Sequence, residues 1–172
     1  TASELDDDRW YMEKDKEDLS KMNYNVLIID ISKESKEEIL EKFNNIDAIF
    51  IAGGNSFYLL QQLKIKNVLQ ELINFATNKI YVGSSAGSCI ACPSIDYVEK
   101  LDDKLQAPLL DNFNAMNLVD FYILPHYKSK EKYTNLADEI EKDYSNYKFV
   151  KLSNEQAIIV YNTNNYKIIE TE

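Results

Sequence analysis

Gly83-Ser84-Ser85-Ala86-Gly87 follows directly on the apolar run Lys79-Ile80-Tyr81-Val82. This is the G-x-S-x-G spacing of a nucleophile elbow, in which a strand ends and a helix begins within a few residues. Ser85 would stand at the tip of that turn with its hydroxyl exposed. Gly83, Ala86 and Gly87 leave room for backbone and helix to approach each other. The first helical amides would point at whatever the hydroxyl attacks. A serine hydroxyl becomes a useful nucleophile when a base removes its proton. The chain has one histidine, His126, which follows Pro125 after the apolar run 121–124. Both residues fall at the carboxyl ends of predicted strands, where open α/β sheets bind ligands. The bland alternatives are a glycine-serine turn and a packed or solvated histidine. The two strand-end placements together favour a catalytic pair.

Such a pair calls for an orienting carboxylate. The segment between the two residues offers Asp96, Glu99, Asp102, Asp103 and Asp111. Any of them gives the chain order Ser–Asp/Glu–His. Acyl transfer also needs amide donors for the oxyanion. The Ala86 amide follows the nucleophile, and the Gly53-Gly54 turn offers a second. No G-x-G-x-x-G or P-loop pattern is present. One histidine with Cys89 and Cys92 does not make a zinc set, so neither metal nor cofactor is expected. The two cysteines read as buried, reduced thiols, as in a cytoplasmic protein.

The elements that must position these groups alternate. Leu5, Met12, Leu19 and Met22 mark an amphipathic helix with Ser3 as its N-cap. Runs 25–31, 46–52 and 79–83 are apolar enough for parallel strands covered on both faces. Helices are predicted over 32–43, from 57 to 63, over 68–77 and over 131–144. Residues 93–120 show no sustained period. Residues 149–150, 157–161 and 166–169 read as antiparallel strands, with an Asn-rich turn at 162–165. The pattern predicts one α/β domain over 1–172, with a three-layer, mostly parallel sheet and antiparallel C-terminal strands.

The chain of 172 residues carries 29 acidic against 19 basic residues, a net charge of −10, and a single arginine, Arg9. That balance disfavours nucleic acid and anionic membranes as partners, because both require clustered cations. No apolar run reaches the length of a membrane span, and no signal peptide is visible.

A larger constellation then emerges. The runs Ala52-Gly53-Gly54-Asn55-Ser56-Phe57 with Leu59-Leu60, Gly83 to Gly87, Cys92-Pro93, Asn117-Leu118-Val119-Asp120-Phe121 and Leu124-Pro125-His126-Tyr127 occur in this order. Together they resemble peptidase family S51, the group of dipeptidase E and cyanophycinase. The resemblance implies a fold like class I glutamine amidotransferases, with serine at the elbow. By position, it implies Ser85 as nucleophile, His126 as base, and Gly54 and Ala86 as oxyanion-hole amides. Asp102 is the best match for the acid, with Asp103 and Glu99 open. The implied activity is hydrolysis of short peptides through an acyl-enzyme. An esterase or amidase with the same triad, or a non-catalytic binding or scaffold protein, are the alternatives. Relative to the family pattern the chain starts late, without the usual strand-helix-strand. Apolar surface near 26–31 is therefore expected to be uncovered or paired with another chain, which leaves a homodimer open. Asp96 stands where aspartyl-specific members carry an arginine, so weak or no preference for Asp-X dipeptides is expected.

Overall fold

The computed structural model describes residues 1–5, 10–162 and 165–170. The N-terminus forms a 3-10 turn, Ala2–Leu5, and helix α1 follows at Trp10–Lys21. The next elements are α2 Lys36–Asn44, β1 Ala48–Ile51, α3 Ser56–Ile65, α4 Leu69–Asn78, β2 Ile80–Gly83 and α5 Ala86–Ile90. Two 3-10 turns, Asp96–Lys100 and Lys104–Gln106, lead to β3 Tyr122–Leu124, α6 Glu131–Asp143, β4 Phe149–Lys151, β5 Gln156–Asn162 and β6 Asn165–Glu170.

The architecture is α/β. β1 and β2 pair in parallel, with Ala48 opposite Ile80 and Ile51 opposite Gly83. β3 and β4 also pair in parallel, with Leu124 opposite Lys151. β5 and β6 form an antiparallel hairpin. Here the structure corrects the reading of residues 149–150 as antiparallel. The helix α6 between β3 and β4 makes a crossover, and a crossover returns the chain parallel.

Run 25–31 forms no strand and pairs with none among the described residues. It was expected to be a parallel neighbour of the other two. Its side chains divide: Ile31 is buried, whereas Leu27 and Ile28 are 50% and 57% exposed. β1 and β2 are likewise covered on one face only. Ile49 and Ile51 point into the core, while Ile80 and Val82 are 63% and 45% exposed. The expected uncovered apolar surface is therefore present. The N-terminal stripe also departs from expectation, since α1 buries none of its residues. Helix α2 begins four residues later than predicted. Ser35 and Glu38 form a reciprocal capping box there, which satisfies two otherwise orphaned amides.

The main core gathers Ile39 and Phe43 of α2, Phe57, Leu60 and Leu63 of α3, Leu72 of α4 and Ile90 of α5. A second apolar cluster joins Cys92, Val119, Phe121, Ile123, Val150 and Leu152 around β3 and β4. Cys89 and Cys92 are free and buried. The Ile123 amide donates to Cys92 Sγ at 3.3 Å, and the Tyr97 hydroxyl donates to the Ile123 carbonyl at 2.7 Å. Burial pushes both thiols up, Cys92 to about 11. Thiolate is the reactive form. A disulfide-exchange reagent at pH 8 should therefore titrate neither cysteine in the native protein and both in denaturant. Rapid native labelling would show that the second cluster opens.

Candidate active site

The turn at residues 83–87 has the geometry its composition implies. Ser85 has φ 47°, ψ −110°, a conformation that L-residues seldom adopt. Ser85 is half-buried, and a backbone strained this way is common at functional sites. Two glycines make the turn possible. A Cβ on Gly83 would lie 2.5 Å from the Gly87 carbonyl group, and one on Gly87 would lie 2.3 Å from the Ile51 carbonyl oxygen. Any side chain at either position would push α5 off the strands. The Ser84 amide donates to the same Ile51 carbonyl at 2.9 Å, tying the elbow to the end of β1. Tyr81 holds the other side, its hydroxyl donating to the Gly87 carbonyl at 2.6 Å.

His126 comes from the end of β3 and also has a positive φ, 63°. Its carbonyl accepts from both the amide and the hydroxyl of Ser129, at 3.0 and 2.6 Å, which closes the turn. The ring reaches across so that Nε2 lies 3.0 Å from Ser85 Oγ. Nδ1 lies 2.8 Å from the side-chain oxygen of Asn154. Tyr133 of α6 flanks the imidazole, ring centroids 5.5 Å apart.

The backbone explains why Asn154 arrives there. β4 ends at the same edge as β3, and its ladder continues: the Leu152 amide donates to Leu124 and the Tyr127 amide to Leu152. Two residues later the chain turns. The Gln156 side chain accepts from the Ser153 amide at 3.1 Å, and the Ser153 hydroxyl accepts from the Glu155 amide at 3.3 Å. Nothing in the sequence alone pointed to Asn154. The signal that could have found it was the parallel crossover, which brings the residues after β4 beside those after β3.

Asp102, Asp103 and Glu99 are engaged elsewhere. Asp102 Oδ2 accepts from the Ser56 amide at 2.8 Å, at the start of α3. The first amides of a helix have no partner within the helix, and a carboxylate satisfies one well. Asp103 caps the following 3-10 turn by accepting from the Leu105 amide, and Glu99 pairs with Lys104. The ring nitrogens of His126 have Ser85 and Asn154 as partners, while Asp102 accepts at the start of α3. Asn55 strengthens the same junction. Its oxygen accepts from the Tyr58 amide, and its nitrogen donates to Asp103 and Gln106. This network fixes the Gly53-Gly54 turn. Gly53 sits against Ser85, an added Cβ there lying 3.2 Å from Ser85 Cβ. Gly54, at φ 131°, lies against Ala2 and Ser3. The amides of Gly54 and Ala86 donate no hydrogen bond among the described residues.

Asp96 is tied down by its own partners. Its carboxylate accepts from the Ser94 hydroxyl, the Tyr97 amide and the Tyr147 hydroxyl, at 2.9, 3.0 and 2.8 Å. Arg9 lies outside the described residues. No group of three or more His, Cys, Asp or Glu side chains among the described residues is arranged to hold a metal ion. No helix among them is long and apolar enough to cross a membrane.

An elbow serine facing a strand-end histidine on a parallel α/β scaffold defines a hydrolase class, and comparison with known proteins narrows it. The model of peptidase family S51 matches residues 1–168. An uncharacterized peptidase of Listeria innocua is 37% identical over 165 residues, covering 93% of this chain and 77% of that protein. Peptidase E of Nostoc is 35% identical over 97 residues, 55% of this chain and 36% of its own length. A crystal structure of a candidate peptidase E protein from Listeria monocytogenes superposes with a TM-score of 0.89 at 34% identity, covering all of this chain and 83% of that one. The chain belongs to peptidase family S51, and its activity is that of a peptidase.

Removing the α3 cap separates the two roles open to Asp102. Asp102→Ala should lower stability to urea by about 1–2 kcal/mol, the usual worth of a charged group on helix-terminal amides. Its kcat/KM should fall by less than tenfold. A loss as deep as that of Ser85→Ala, at unchanged stability, would return Asp102 to the imidazole.

Proposed function

We propose that this protein is a serine peptidase that hydrolyses short peptides through an acyl-enzyme formed on Ser85. The observation that carries the reading is the 3.0 Å approach of His126 Nε2 to Ser85 Oγ at a backbone strained for the purpose. That distance lies within the hydrogen-bond reach a nucleophile–base pair requires.

In the first step Ser85 Oγ bonds to the scissile carbonyl carbon, and its proton passes to His126 Nε2. The carbonyl oxygen gains the negative charge and takes hydrogen bonds from the Gly54 and Ala86 amides. Preorganised donors of this kind contribute several kcal/mol to the transition state, roughly 10²–10³ in rate for one donor. Collapse of the intermediate breaks the C–N bond as the imidazolium protonates the leaving amine. Water then attacks the ester with His126 as base, and Ser85 leaves with its proton restored. No step calls on a metal or an organic cofactor. The expectation of a short peptide substrate follows the family and the names of its peptidase E members.

Aspartate specificity would require a cation beside the site, best met by a bidentate arginine. Lys100 is paired with Glu139 and Asp143, and Lys104 with Glu99. Asp96 is committed to Tyr147.

Ser85→Ala should abolish turnover of any dipeptide the wild type cleaves, and labelling by a fluorophosphonate should disappear with it. Ser84→Ala, which alters the exposed neighbour, should keep most of both. Retained labelling in Ser85→Ala would overturn the reading. In a comparison of Asp-Leu with Ala-Leu, kcat/KM should differ by less than about tenfold, or 1.4 kcal/mol of transition-state binding. A larger preference for Asp-Leu would reveal a carboxylate-binding cation.

A further inference from the structure

Resting on the reading of Gly54 as an oxyanion donor to a carbonyl attacked by Ser85, we infer that Asp30 is a positioning residue for the oxyanion hole. Its carboxylate, through the Thr1 hydroxyl, holds residues 1–3 against Gly54, and that backbone aims the Gly54 amide.

An oxyanion donor helps only if its N–H already points to where the charge will develop. The Gly54 N–H belongs to the Gly53-Gly54 peptide, so its direction follows the torsions of two glycines, the residues with the most backbone freedom. Something outside the turn must hold one direction. Just past Gly54, the Asn55 amide donates to the Ala2 carbonyl at 2.9 Å. Gly54 itself, at φ 131°, rests directly on this segment. A Cβ there would lie 2.2 Å from the Ala2 carbonyl carbon and 2.5 Å from the Ser3 nitrogen. Ala2 and Ser3 are buried. Residues 1–3 are therefore the floor of the turn, and a shift of that floor rotates the Gly54 peptide.

The floor is clasped by Asp30. Thr1 Oγ1 donates to Asp30 Oδ1 at 2.9 Å and accepts from the Ile31 amide at 2.8 Å. The same Oδ1 accepts from the amide and the hydroxyl of Ser32, at 3.1 and 2.6 Å. Oδ2 pairs with Lys33 at 3.1 Å, and Lys33 also reaches Glu4 at 3.0 Å. The run 25–31, which pairs with no strand among the described residues, ends in this clasp. The hydrogen bonds of the Asp30 carboxylate go to Thr1 and Ser32 and its ion pair to Lys33, so its hold on Gly54 passes through Thr1 and Ala2.

The test compares variants that lose the clasp with variants that keep it. Asp30→Ala removes the carboxylate, whereas Asp30→Asn keeps an acceptor oxygen for Thr1. Thr1→Val removes the hydroxyl at nearly the same shape, and Thr1→Ser retains it. Asp30→Ala and Thr1→Val should each lower kcat by about tenfold or more, part of the worth of one oxyanion donor, with KM within about twofold. Asp30→Asn and Thr1→Ser should recover most of the loss. The double variant Asp30→Ala/Thr1→Val should lose little more than the weaker single one, since both changes cut one path. If thermal melting shows Asp30→Ala to be unfolded, the Thr1→Val and Thr1→Ser pair decides.

Two inhibitors separate aiming from general loosening. A peptide boronic acid bonds its boron to Ser85 Oγ while the serine proton passes to His126, and the tetrahedral adduct presents a boron-bound oxygen to the amides. A dipeptide analogue with CH₂–NH in place of the scissile amide has no such oxygen. In Asp30→Ala and Thr1→Val, affinity for the boronic acid should fall with kcat, and affinity for the reduced analogue should stay within about twofold. Unchanged kcat in both variants, an equal loss of both inhibitors, or a Thr1→Ser variant as slow as Thr1→Val would overturn the inference. The Ser85→Ala result tests the underlying reading separately, because none of these variants alters Ser85.

Discussion

The approach of Gly87 to the Ile51 carbonyl governs the geometry of this protein. A Cβ at residue 87 would lie 2.3 Å from that oxygen, closer than atoms in real structures come. With hydrogen in that place, α5 settles against the ends of β1 and β2. Only then can residues 83–86 turn from strand to helix in so few steps, and only then does Ser85 take its positive φ. The same Ile51 carbonyl accepts from the Ser84 amide. One backbone oxygen at the end of β1 thus fixes both the height of the helix and the position of Ser85.

Around this point the loops are locked by polar contacts at helix termini. Asp102 and Asn55 satisfy amides at the start of α3, and Asn55 also grips the backbone and side chain of the following loop. The Gly53-Gly54 turn is therefore held rigidly beside Ser85. A site that must present amides to a developing oxyanion benefits when those amides are fixed before substrate arrives. The acidic side chains of residues 96–103 serve this architecture, and each is matched to an amide, a hydroxyl or a lysine.

The meeting of Ser85 and His126 was legible in the sequence because its constraints are local. Gly83, Ser85 and Gly87 have a fixed spacing, and a single histidine leaves no choice of base. The β1 and β2 strands and the C-terminal hairpin were legible for a similar reason, since apolar runs and alternation are local signals. The contact at Nδ1 was not. Asn154 lies 28 residues from His126 and reaches it only because α6 returns the chain in parallel. Residues 149–150 form too short a run for periodicity to reveal that direction. Asp102 was singled out because a carboxylate between the serine and the histidine satisfies the order of a triad, whereas the Ser56 amide that donates to it carries no sequence mark. The run 25–31 misled. Its composition is that of a buried strand, but pairing depends on a neighbour, and among the described residues no strand lies hydrogen-bonded beside it.

The strand that leads to His126 draws on both apolar clusters. Ile123 of β3 belongs to the smaller one, whereas Leu124, two residues before His126, belongs to the larger one that also holds Ile51, Ala86 and Ile90 around Ser85. Cys92, two residues beyond α5, accepts from the Ile123 amide, and the Tyr97 hydroxyl donates to the Ile123 carbonyl. β3 is thus gripped from both faces, and the 3.0 Å contact between Ser85 and His126 joins two turns that share one core. Loosened packing far from the surface would therefore be felt first as a change in that single distance.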